Sequence, residues 1–384
     1  MATSNQYGSA QEAGRPQPQT TVESPGGPFV RHSQRGRAPQ YSVSGTAFGG
    51  IITQPLVARP GYFAALRVTV AATGGVNGTV NVATAADAPF SAHSLVTLKD
   101  AFGTPLIVAP GFETWNLISL FGGGFGINNK TNDISQLPSY SAPSVGSSGT
   151  GNFSFSGNLP LEFSKGYGVL SAANASLLPT LQFNVAASSA VYSTAPGTLP
   201  TLTHTVDTDF YWLPEGVAVE PPGLGTTRQW ILQQLNPTIG TSASARLQFP
   251  RLGGYLDSII LEARDSTGAR ISTVYNSSAR MQFYVDGVPL IDSTYSEIQD
   301  DMAIQFGGVT QPTGVIAISR KTSLNQQSLG LLDTGETFLS TNPGTLLEIN
   351  QSPWGTVSQT PAVMSALVGQ VVPTGAIIQG LPEV

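Results

Sequence analysis

Apolar residues recur at alternate positions in short runs along this chain, and the runs are separated by glycine, proline and asparagine. Tyr62 to Val70 shows the pattern well: Ala64, Leu66, Val68 and Val70 share one face while Arg67 and Thr69 take the other, the period of a half-buried strand. The same reading predicts strands at Thr79 to Ala83, Ser94 to Leu98, Leu106 to Val108, Asn152 to Leu161, Thr180 to Val185 and Leu202 to Trp212, with turns at Gly74-Gly75 and Asn77-Gly78. Helical spacing is confined to Phe112, Trp115 and Leu117 to Phe121, and to Tyr295, Ile298, Met302 and Phe306. Alternating βαβ units need a helix between successive strands. The prediction is therefore an all-β sandwich or barrel.

The pattern then repeats. Gly61-Tyr62-Phe63 is echoed by Gly254-Tyr255-Leu256, Asp100 to Ile107 by Asp286 to Ile291, and Leu178 to Asn184 by Pro343 to Asn350. The three echoes keep their order and their offset shrinks along the chain, as two copies of one fold with shorter loops in the second would require. A short helix follows Pro-Leu-Ile in both copies and stops at glycine, at Gly122 to Gly124 and at Gly307-Gly308. Its aromatic stripe could be a ligand face, but a helix plugging one end of a sandwich explains it more simply.

Composition narrows the chemistry. The 384 residues include 43 Gly and 28 Pro, only 10% are charged, and 40% are hydrophobic, which excludes global disorder and a long-helix protein. With no cysteine there is no disulfide framework, thiol nucleophile or Cys-type metal site. His32, His93 and His204 lie far apart, so a histidine metal site would need all three to converge. Asp207 and Asp209 share a strand face and could hold a cation or do acid–base work, yet no partner pattern completes a site. Glu297, Asp300 and Asp301 read as a solvated helix face. Serine-nucleophile and phosphate-loop signatures are missing. No catalytic residue, metal ligand or cofactor is expected. The 17 basic residues against 23 acidic ones also disfavour direct nucleic-acid binding as the main task. The apolar stretch Val363 to Ile378 carries Gln370 and Pro373 and is too short to span a bilayer, and residues 1 to 40 lack the apolar core of a signal peptide.

Residues 1–44 are expected to be an extended N-terminal arm rich in Gln, Ser, Pro and Gly. Arg31, Arg35 and Arg37 cluster in it as candidate contacts to an anionic surface or a neighbouring molecule. The expected division continues with a first domain at 45–214, a linker at 215–227 marked by Pro221-Pro222, a second domain at 228–373 and a tail at 374–384. Ser139 to Asn152, a Ser/Gly run, is expected to be a surface loop.

Three stretches carry a resemblance: the strand Gly61 to Val70, the segment Leu95 to Trp115 with its Asp-x-x-Gly turn, and the run from Leu161-Glu162-Phe163-Ser164 through Leu181 to Asn184. Over roughly Thr46 to Val372 the chain resembles the double jelly-roll major capsid proteins of tailless, internal-membrane bacteriophages of the tectivirus type, related in architecture to adenovirus hexon. The resemblance implies two tandem eight-stranded jelly-roll β-sandwiches, each with a short helix in a long loop. It implies a non-enzymatic structural protein of the virion, a homotrimer of pseudo-hexagonal outline that tiles an icosahedral shell around an internal lipid membrane. The implied partners are neighbouring trimers, minor capsid and penton proteins, and that membrane, with assembly in the host cytoplasm. A carbohydrate- or receptor-binding β-sandwich of the spike or lectin type is the alternative.

Overall fold

The computed structural model describes residues 27–119, 138–163, 166–172, 174, 176–215, 217, 219–222, 226–235, 245–249, 254–265, 267–306, 312–319, 339–340, 344–351, 354 and 363–373. Among them sixteen main strands fall into two sets of eight. The first set is β1 (Gln34–Thr46), β2 (Ile51–Pro55), β3 (Tyr62–Thr73), β4 (His93–Lys99), β5 (Pro105–Ala109), β6 (Phe153–Pro160), β7 (Thr180–Val185) and β8 (Thr201–Trp212). The second is β9 (Thr226–Leu235), β10 (Ala245–Gln248), β11 (Tyr255–Arg264), β12 (Arg280–Val285), β13 (Val288–Thr294), β14 (Val315–Ser319), β15 (Leu347–Gln351) and β16 (Val363–Pro373).

Each set makes the same two sheets. In the first, β1-β8-β3-β6 faces β2-β7-β4-β5; in the second, β9-β16-β11-β14 faces β10-β15-β12-β13. Every neighbouring pair within a set is antiparallel, and the strand order is that of a jelly roll. The sequence echoes fall on equivalent elements: β3 with β11, the β4–β5 hairpin with the β12–β13 hairpin, and β7 with β15. A wide π-type helical turn, Glu113–Ile118, follows β5. The helix α2 (Tyr295–Phe306) follows β13 and starts in a capping box: the Thr294 N–H donates to Glu297 Oε2 at 2.7 Å and the Glu297 N–H to Thr294 Oγ1 at 3.3 Å. Trp115 from the first of these turns is fully buried against β6. A Cβ on Gly157 would lie 2.4 Å from its ring, so only glycine fits there.

Three expectations need correction. The first strand is Gln34–Thr46, not the end of an arm; without it the first sandwich would have seven strands. It was hidden because β1 is an edge strand whose outward positions are polar and whose inward ones, Ala38, Gln40 and Val43, include a glutamine. It also contains Gly36, Pro39 and Gly45, which read as breakers but are tolerated at an edge. The predicted strand at Thr79 to Ala83 is broken: Thr79 sits in a turn at φ 68°, Val82 makes an isolated bridge to Gly146, and Ala83–Thr84 pairs with Tyr192–Thr194. β9 likewise begins at Thr226, inside the expected linker. The tail at 374–384, most of the arm, and the glycines at 122–124 and 307–308 lie outside the described residues.

The two sandwiches meet through one parallel pairing. Trp230 and Ile231 of β9 lie beside Ile107 and Val108 of β5, so the β2-β7-β4-β5 sheet continues into β9-β16-β11-β14. Parallel pairing also sets direction: both sandwiches point the same way. One end, the hairpin end, carries the β4–β5 and β12–β13 turns, the start of β1 and the end of β16. The other, the loop end, carries the helical turn and α2.

Candidate functional site

The residues singled out from sequence sit at the hairpin end of the first sandwich, along the outer edge and outer face of β1. A short helix, α1 (Gly27–His32), precedes the strand; its Phe29 is buried and packs edge-on against Tyr62 and Tyr211, with centroids at 5.7 and 5.3 Å. That anchor holds Arg31, which is exposed, at the hairpin end. The β1–β8 register then brings Arg37 opposite Asp209, and the guanidinium donates twice to the carboxylate, at 2.7 and 3.2 Å. Arg35 lies over the Tyr211 ring and near Glu162 and Asp209, at 3.7 and 3.9 Å, while the Tyr211 hydroxyl donates to Glu162 at 2.8 Å. Arg35 and Arg37 therefore belong to a built surface, half exposed at 50% and 51%. Asp209 is part of that surface too, and Asp207 lies opposite Arg67.

The equivalent face of the second sandwich is buried. Arg228 of β9 forms an ion pair with Asp257 at side-chain exposures of 1% and 4%, and it sits over the ring of Trp230, which is fully buried. Gln229 donates to the Pro105 carbonyl across the junction, so the first sandwich is what covers this face.

A second polar cluster ties the sandwiches together at the loop end. Arg264, from the end of β11, is paired with Asp87, with Glu262 at 2.7 Å and, more distantly, with Glu113 at 3.6 Å. Arg270 donates to Asp87 at 2.8 Å and stacks on Phe112 at 4.1 Å from the ring centre. Burial first, and then the neighbouring Glu113, pushes the Glu262 carboxyl well above the usual carboxylate range.

His93 and His204 do converge, but inside the core of the first sandwich and without His32. The Trp115 indole N–H donates to His93 Nδ1 at 3.0 Å, so the His93 proton lies on Nε2 and is donated to His204 Nε2 at 2.8 Å. Burial holds both imidazoles neutral, His204 with a pKa lowered to about 4. Among the described residues no group of three His, Asp or Glu side chains is placed to hold a metal ion. Neither polar cluster was visible in the sequence, because their members come from strands far apart in the chain.

No family model and no curated protein matches the chain. Solved structures do. The Sulfolobus turreted icosahedral virus MCP matches with a TM-score of 0.64 and 15% identity, over 91% of this chain and all of that one. PBCV-1 VP54, whose crystal structure was fitted into a reconstruction of the virophage Sputnik, matches with a TM-score of 0.58 and 14% identity, over 88% and 93% of the two chains. The fold is the double jelly roll. The structures it resembles are those of capsid subunits, and the likeness covers 88–91% of this chain.

Proposed function

We propose that the chain is a shell-forming capsid subunit with a structural, non-enzymatic role, which associates as a homotrimer of six sandwiches and tiles an icosahedral virion shell. The observation that carries this reading is the likeness to capsid subunits over 91% of the chain, and the parallel β5–β9 junction that makes its two sandwiches one block agrees with it. Physical features agree with it. With 10% charged residues, faces can be buried against neighbours without stripping water from many ions, which costs several kcal/mol each. The rival carbohydrate-binding reading calls for platforms of exposed Trp and Tyr, but Trp115, Trp230 and Trp354 are fully buried, and Trp212 and Tyr255, exposed at 37% and 54%, lie on different sandwiches.

Six of the twelve exposed large hydrophobic side chains among the described residues lie at the hairpin end: Phe102, Leu177 and Trp212 on the first sandwich, and Tyr255, Val288 and Leu346 on the second. Arg31 is at the same end. Apolar side chains beside a cation suit an anionic lipid surface, so this end faces the internal membrane and the loop end faces outward. Light scattering with negative-stain imaging tests the subunit reading: hexagon-outlined particles of three chains are expected, and a glycan-binding monomer overturns it. Sedimentation with anionic and zwitterionic vesicles tests the orientation; equal binding to both, or none, removes the membrane from it.

A further inference from the structure

The internal junction uses one strand from each sandwich and leaves the equivalent strand of the other without a partner. β5 of the first sandwich pairs with β9 of the second. The counterpart of β5 is β13, and that of β9 is β1. Among the described residues both are edge strands with an open side.

Local irregularities set the equivalence residue by residue. In both sandwiches the ladder to β3 or β11 skips one residue, Ala64 in the first and Asp257 in the second, just after the pairs Phe63–Phe210 and Leu256–Gln370. That alignment makes Arg35 the counterpart of Arg228 and Arg37 the counterpart of Trp230. Both hairpins also skip one residue, Leu106 and Leu290, so that Pro105 matches Pro289 and Ile107 matches Ile291. Arg228 and Trp230 are 2% and 0% exposed because the first sandwich covers them. Arg35 and Arg37, at the same positions, are half exposed.

We infer that β1 of one copy docks in parallel on β13 of a second copy, repeating the internal junction with Arg37 beside Ile291 and Ala38 beside Asp292. Net charge supports the pairing. The β1 side offers Arg35 and Arg37; the β13 side offers Asp292 and, from α2, Glu297, exposed at 43% and 55%, against the single cation Arg280 at 2.6 and 4.0 Å from them. Because the two surfaces differ, the contact is head-to-tail and each copy supplies one of each, the arrangement that closes into a ring when the rotation permits. This rests on the capsid-subunit reading and names the surface that such a reading needs.

The absence of cysteine makes the test direct. The full chain carrying R37C and I291C, and separately R35C and P289C in case the first pair perturbs folding, is oxidised and run on a denaturing gel. Cross-linked species of two and three chains are expected from both. A control pairing R37C with V145C, which lies in the loop-end connection between β5 and β6, should stay uncross-linked. Unmodified protein that forms trimers while neither pair cross-links overturns this interface and leaves the subunit reading standing; unmodified protein that remains monomeric at all concentrations overturns both.

Discussion

β1 and β9 occupy the same place in two copies of one fold, yet their outer faces live in different solvents. On β9 the face is dry: Arg228 is matched to Asp257 and roofed by Trp230, and the cost of removing water from that ion pair is offset by their direct contact. On β1 the corresponding residues are Arg35 and Arg37, whose partners Glu162 and Asp209 are shared with water, so the pairs contribute little to the stability of the isolated chain. The same strand position is thus a core element in one sandwich and a surface in the other. The difference comes from what lies on the other side.

Breaking the dry face should cost most. Asp257→Ala leaves Arg228 charged and buried, and a loss of roughly 3–5 kcal/mol in chemical denaturation is expected; a midpoint unchanged from the parent would show that the pair is solvated. Trp230→Ala empties the junction itself, with a comparable cost of roughly 3–5 kcal/mol. It should also loosen the two sandwiches enough to give separate unfolding transitions.

Next in size is acid sensitivity confined to the first sandwich. A histidine free in the unfolded chain titrates near 6.5, whereas His93 and His204 are held neutral, the latter down to about 4. Protons therefore bind the unfolded chain first, and the stability present above pH 6.5 should fall by ~3 kcal/mol for His204 as the pH drops to about 4, with His93 adding in the same direction. His204→Leu should flatten that slope in thermal melts taken across the range; an unchanged slope would place the titrating group elsewhere.

The loop-end cluster gives a smaller effect of opposite sign. With its carboxyl raised by burial and by Glu113, Glu262 holds its proton to higher pH in the folded chain than in the unfolded one, where a glutamate titrates at about 4.3. Stability is therefore drained as pH rises. Glu262→Gln, permanently neutral, should melt higher than the parent at pH 8 and equal it near pH 4, and a lower melting temperature at pH 8 would mean that the carboxylate is needed charged. Smallest of all is Arg37→Ala: below about 1 kcal/mol in the isolated chain, so a large loss would show that β1 already has a dry face like β9.

Much of this architecture was legible in the chain. Strands such as Thr180–Val185 could be bounded from alternation alone, and the tandem copies could be found because glycine, proline and aspartate mark the same turns twice. β1 was not legible. An edge strand needs apolar residues on one side only, and Arg35, Gly36, Arg37 and Pro39 imitate an arm. The arginine cluster was visible as charge, but its carboxylate partners lie far along the chain, Asp209 on β8 and Glu162 just after β6.

Local pattern, then, determined strand periodicity, turn positions, the internal repeat and the scarcity of charge, because each depends on residues close together in the chain. Tertiary structure alone decided which of two equivalent strands is buried, where His93 meets His204, and how Glu262 comes to face Glu113. Those outcomes depend on what packs across a gap, and the energy of burying a charge is set by that neighbour rather than by the residue itself.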